Sequence, residues 1–284
     1  MTGDEVRTLG RALVPTCRYL MQTEVHVFAF AVSAGLLLSF FPFLTVMLSI
    51  CRYVLKWRAG VSAVYFALND YFPDAFGQFI RRNFDVTVAS RGPVQVVSLV
   101  LLFFTASGIF EPLEVALNRI WNCPKNRNYF KNQLISLGLI FACGALMLIS
   151  TTLTALDNQF LTGVAIRQTA PVANLIGLLL FKAAAIPMSM LVLFLIYWLL
   201  PNCKIQPARI VPAAIVVGLL LEILKYINLW TWPYLRGKLQ SEYGPFYYTV
   251  TIILWGFLAA LVVLAGAEWT ARHSTQRPLV NPGN

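Results

Sequence analysis

Apolar residues in this chain gather in long blocks, at about 25–50, 93–117, 134–156, 172–200, 210–228 and 246–267. A hydrocarbon core about 30 Å thick is crossed by about 20 residues rising 1.5 Å each, so every block predicts a membrane-crossing helix. The predicted fold is all-α: a polytopic membrane helix bundle of six transmembrane helices over 25–271, with amphipathic interfacial helices beside it. Residues 1–24 interleave Arg7, Arg11 and Arg18 with Leu9, Leu13, Val14, Tyr19 and Leu20. That is the pattern of a helix lying on the membrane surface, broken near Pro15, and it lacks the continuous apolar stretch of a secretory signal. Between the first two blocks, Arg52, Lys56, Arg58, Asp70, Asp74, Arg81, Arg82 and Asp85 rule out a simple span. Apolar spacing over 61–71 and 76–84 predicts amphipathic helices there, broken at Pro73. Residues 272–284 form a polar tail, and six crossings place both termini on one side.

Composition agrees with that class. The chain has 284 residues, 58% hydrophobic and 12% charged, with a mean hydropathy of +0.69; soluble domains carry roughly 25% charged residues. The net charge of +10 is accounted for by loop Lys and Arg beside lipid head groups. No basic run is long enough for a nucleic-acid groove, so membrane lipids, not nucleic acid, are the expected partners. Short loops dominate the positive-inside rule. The termini and the loops 119–132 and 201–209 carry Arg18, Arg119, Lys125, Arg127, Lys131, Lys204, Arg209 and Arg272, which predicts cytoplasmic termini. Cys17, Cys51, Cys123, Cys143 and Cys203 form no CxxC pair and are odd in number; they are expected to be small buried thiols. His26 and His273 stand far apart, so neither a metal site nor a cofactor is expected.

Charges inside the blocks carry the candidate chemistry. A charged side chain at mid-membrane costs at least about 2.5–3.5 kcal/mol, so such residues face a bundle interior or a wet cavity unless they reach the interface. The stretch GIFEPLEVALNRIWN, 108–122, holds Glu111, Pro112, Glu114 and Asn118. At about 100° per residue, Ser107, Glu111, Glu114 and Asn118 fall within a sector roughly 60° wide. Pro112 leaves the carbonyl of Gly108 without its donor. Two readings stand: a stripe lining a pathway, or a wet helix end near Arg119. Lys182 is the sole charge between 172 and 200; it either snorkels or pairs with Glu111, Glu114 or Glu222, and Ser189 shares its face. Glu222 and Lys225, at i and i+3, can pair along one helix. Pro42, Pro112 and Pro187 mark expected helix bends. Pro42 echoes Pro187, and LEVALNRIW echoes LEILKYINLW, as two inverted three-helix halves would.

Several words of the sequence resemble the YihY/BrkB family of bacterial inner-membrane proteins: AVSAGLLLSFFPFLTVMLSI, GIFEPLEVALNRIWN, LIYWLLPN, IVPAAIVVGLLLEILK and YGPFYYTVTIILWGFLAALVVLAGAEW. They occur in family order over nearly the whole chain. His26 and Trp255-Gly256-Phe257 depart from the family pattern. The resemblance implies six spans, cytoplasmic termini and the bacterial inner membrane, in a group that looks like transporters or lipid exporters. An older family label, ribonuclease, finds no His pair, metal cluster or soluble catalytic domain in this sequence. The run Ser150, Thr151, Thr152, Thr154 and Asp157 is explained by threonines bonding their own helix backbone. The expected function is non-enzymatic: a transporter or flippase-like exporter of an anionic lipid or small solute. Its polar cavity would be lined by Glu111, Glu114, Asn118, Lys182, Ser189, Glu222 and Lys225. The alternative is a non-transporting membrane scaffold or envelope-interaction protein.

Overall fold

The computed structural model describes residues 14–71, 82, 93–123, 127–165 and 187–275, and no strand occurs among them. Residues 14–20 form α1. Helix α2, Thr23–Ser49, continues into a π-helical turn, Ile50–Val54. Then follow α3, Arg58–Tyr71, α4, Pro93–Ile120, α5, Tyr129–Ala165, and α6, described as Pro187–Leu199. Helix α7, Pro207–Tyr243, and α8, Tyr247–Thr275, are joined by the 3-10 turn Gly244–Phe246.

Helix α2 is the hub: it packs most extensively on α4 and next on α8. Small residues make this possible. A Cβ built on Gly35 would lie 2.1 Å from the carbonyl oxygen of Gly108 on α4, and one on Gly256 of α8 would lie 3.1 Å from the Cβ of Ser33. Backbones therefore meet where side chains ordinarily would. Pro112 has no N–H to return to Gly108, and that carbonyl, without its usual helical donor, rests against Gly35, whose Cα–H groups are the weak donors of close helix contacts. Around this crossing Val25, Ala29, Val32, Leu102, Phe110, Leu113, Leu117, Tyr197, Ile210, Val217 and Leu264 form the main core.

The outer surface is apolar. Val27, Phe30, Leu38 and Phe41 of α2 and Leu220, Ile223, Ile227 and Trp230 of α7 are all exposed. Water would penalise such a surface, whereas lipid chains accept it. Among the described residues, four stretches are long and apolar enough to cross a membrane: Thr23–Val54, Val96–Ile120, Phe130–Ile149 and Pro207–Arg272. The last turns at Gly244, whose φ of 53° favours glycine, and comprises α7 and α8 packed on each other. Six crossings are not established by this count, because the predicted block 172–200 lies outside the described residues up to 186.

Several boundaries differ from the sequence expectation. Helix α7 was expected over 210–228 but runs for 37 residues, about 55 Å at 1.5 Å each. It continues because Trp232 and Leu239 bury against Tyr247 in a separate small core. Helix α5 likewise passes residue 156 and is described as far as Ala165. Pro42 does not interrupt α2; the departure from α geometry comes at the π turn, where the Leu55 N–H bonds the Ile50 carbonyl at 2.9 Å. Pro15 lies within α1, and the break falls at 21–22. Helix α3 is amphipathic as expected: Val64 and Leu68 pack on Met47, Leu48, Cys51 and Leu148. Residues 76–84, apart from 82, and Pro73 lie outside the described residues.

The α2–α4 crossing makes a prediction. Gly35→Ala should destabilise the protein by about 1–3 kcal/mol through overpacking, read as a lowered Tm in detergent or nanodiscs. Gly138→Ala, where an added Cβ meets nothing within 4 Å, should be neutral or stabilising by about 0.5–1 kcal/mol. Equal effects of the two changes would contradict the close crossing.

Candidate functional site

Two helix C-termini meet at one end of the bundle. Helix α4 closes with the pair of backbone bonds of a Schellman motif: Cys123 N–H to the Asn118 carbonyl at 2.8 Å and Asn122 N–H to the Arg119 carbonyl at 3.3 Å. Asn122 occupies the left-handed position with φ 51°, a place where Asn is tolerated second only to Gly. The last carbonyls of α6 are answered by Arg127, whose guanidinium donates to Leu199, Leu200 and Pro201 at 2.8–3.2 Å. The turn at Asn122 directs Cys123 to Cys203, and the two form a disulfide with a Cα–Cα distance of 5.5 Å. This corrects the expectation of five thiols. Cys17, Cys51 and Cys143 are free, whereas Cys123 and Cys203, 80 residues apart, are paired by the meeting of two helix ends that no local spacing reveals.

Behind this clasp lies a buried polar cluster. Glu114 and Asn118 are only 4% and 6% exposed. Asn118 Nδ2 donates to Glu114 Oε1 at 3.4 Å, and Asn118 Oδ1 accepts the backbone N–H of Asn202 at 2.8 Å. Among the described residues, Glu114 Oε2 and both side-chain amide atoms of Asn202 have no hydrogen-bond partner. Outside it, an open cleft of about 390 Å³ is lined by Val115, Asn118, Arg119, Asn122 and Cys123.

The predicted stripe therefore splits. Glu114 and Asn118 turn inward, while Glu111 is exposed. Helical geometry explains the difference: the buried arc of α4 centres on Leu113 and Leu117, and Glu111 sits at the far edge of the stripe, sharing the exposed arc with Val115 and Arg119. The side chain of Ser107 and all of Lys182 lie outside the described residues. Ser189 is half-buried on α6. Glu222 and Lys225 pair along α7 at 3.8 Å, both half-buried, as their spacing predicts. Pro112 is carried inside α4 without interruption, and Pro187 begins the described part of α6. Sequence reasoning missed Asn202, and also Gln133 and Ser136, which are buried in α5 without a hydrogen-bond partner among the described residues. The signal available for the latter two was their i, i+3 spacing at the start of an apolar helix.

The same end carries a surface network. Arg119 pairs with Glu24 and lies over the Phe28 ring, joining α4 to α2. Thr16 donates to Glu268 at 2.7 Å, and Arg272 donates to Glu268 at 2.8 Å and also to Thr16, joining α1 to α8. Burial, and then the Glu268 carboxylate, push the Tyr19 phenol from its ordinary 10.0 up to about 12. The folded state thus holds the Tyr19 proton more tightly than the unfolded state, so this contribution is complete below pH 10 and is lost as pH rises towards 12. Tyr19→Phe should flatten the fall of Tm over that interval. An unchanged alkaline profile would show that Tyr19 is not packed in this way.

An apolar outer surface, helices long enough to span a bilayer and a small buried polar cluster define an integral, all-helical membrane protein. The family model described as Virulence factor BrkB matches residues 16–282. The chain belongs to that family, the YihY/BrkB family. It is 27% identical over 285 residues to a UPF0761 membrane protein of Vibrio atlanticus, covering 96% of this chain and 86% of that one. It is 26% identical over 216 residues to a UPF0761 membrane protein of Aeromonas salmonicida, covering 72% and 69%. A UPF0761 membrane protein of Chlorobium limicola is 25% identical over 266 residues, covering 91% and 57%. No solved structure matches the chain.

Proposed function

We propose that this protein is a non-enzymatic transporter or flippase-like exporter of an anionic lipid or small solute in the bacterial inner membrane. The observation that carries the reading is Glu114: a carboxylate almost wholly buried in an apolar bundle, with one oxygen unpaired. A buried ion without a partner costs several kcal/mol, and intramembrane ionisable groups that persist despite that cost mark substrate or ion paths. An open cleft lies beside the cluster, with Asn118 in its wall. Lys182 supplies the positive charge that an anionic substrate requires. Glu111 lies on the exposed face of α4, so the reading rests on Glu114.

In proteoliposomes, the protein should move fluorescent phosphatidylglycerol between leaflets, measured by dithionite quenching. Glu114→Gln should slow movement about tenfold, equivalent to about 1.4 kcal/mol, and Glu111→Gln should leave it unchanged. Wild-type movement no faster than in empty liposomes would overturn the reading in favour of a scaffold.

The positive-inside rule further supports cytoplasmic termini. The described clasped end carries Arg18, Arg119, Arg127, Lys131, Lys204, Arg209 and Arg272 against Glu24 and Glu268. Cys123 and Cys203 then face a reducing compartment, where disulfides are rare. The bond seen in the structure is then a reversible one: acid-quenched alkylation of whole cells should find the pair reduced, and mild oxidation should join Cys123 to Cys203. A disulfide already present in cells would place this end outside.

A further inference from the structure

Glu114 is a negative group with too few partners. Its Oε1 takes the Asn118 amide at 3.4 Å, its Oε2 takes nothing, and no ion pair reaches it among the described residues. It stands in the last turns of α4, where the helix dipole places roughly half a negative charge of its own. At the neighbouring end of α6 the equivalent charge is answered by Arg127. At α4 the corresponding base, Arg119, is turned outward to Glu24. Asn202 adds a second deficit: its backbone is fixed on Asn118, yet its side-chain amide is buried with neither atom bonded.

This is the donor set of a hard cation: a carboxylate oxygen, amide oxygens and the negative pole of a helix. One carboxylate carries one charge, which a monovalent ion neutralises; divalent ions bound by protein usually draw on more carboxylates or keep their waters. We propose that Glu114, Asn118 and Asn202 hold a monovalent metal cation, Na+ or K+, which enters through the cleft beside Asn118 and Asn122. Its service as the ion that drives export rests on the transport reading; its binding does not.

The test uses the purified full-length protein in lipid nanodiscs. Tm is measured in NaCl, KCl and choline chloride at equal ionic strength. Na+ or K+ should raise Tm saturably by about 3 °C or more over choline, because a ligand held only by the folded state stabilises it. Glu114→Gln should lose that response. Glu114→Asp should keep it at about tenfold higher salt, which shows that the site, not folding, was affected. Glu242→Gln, on the exposed end of α7, should respond as wild type. The inference is overturned if wild type does not distinguish the metal cations from choline, or if Glu114→Gln still responds. It is also overturned if the response appears only in Lys182→Met, since a lysine then occupies the carboxylate. Lipid movement that needs Glu114 but ignores Na+ and K+ overturns the ion and leaves the transport reading standing. Cation binding without movement does the reverse.

Discussion

The contact of Gly35 with Gly108 is the constraint on which the rest of the bundle rests. In lipid there is no hydrophobic force between helices, so close packing and the few polar contacts decide how they meet. A Cβ on Gly35 would overlap the Gly108 carbonyl, so two backbones touch there and α4 has little freedom to rotate about its own axis. Pro112 reinforces the arrangement by removing that carbonyl's usual helical donor, which favours its placement against a neighbouring backbone instead of bare lipid. With the rotation set, Leu113, Glu114, Leu117 and Asn118 face the core, and Glu111, Val115 and Arg119 face outward.

The end of α4 follows from the same setting. Asn118 reaches the backbone of Asn202, which draws the α6–α7 connection onto the α4 terminus. The Schellman closure at Asn122 then carries Cys123 to Cys203, and Arg127 reaches back to the α6 carbonyls. Each of these groups answers a backbone or side-chain demand that water would otherwise meet. Among the described residues, one oxygen of Glu114 and the side-chain amide of Asn202 are left unanswered by the arrangement, and the functional reading is built on the first.

Much of this was legible in the sequence. The apolar blocks gave the class, because twenty-residue apolar runs have little meaning except in a bilayer. The stripe of Glu111, Glu114 and Asn118 was visible from helical spacing, as was the Glu222–Lys225 pair. Which edge of the stripe is buried was not, since periodicity gives relative angles and only a neighbour such as Gly35 fixes the absolute one. The Cys123–Cys203 bond and the part played by Asn202 are long-range events between helix ends. The length of α7 was hidden because hydropathy marks where a helix can cross lipid, whereas Trp232, Leu239 and Tyr247 decide how far it continues.

The rotational setting of α4 is the central claim, and collision accessibility of spin labels tests it most directly. Single cysteines from 109 to 119, in a background lacking the native free cysteines, would be labelled in lipid and probed with oxygen and a water-soluble nickel reagent. Accessibility to one or other reagent should peak at 111, 115 and 119 and fall to a minimum at 113, 114 and 117. Maxima at 114 and 118 would mean that α4 turns its carboxylate stripe outward, and would contradict the account.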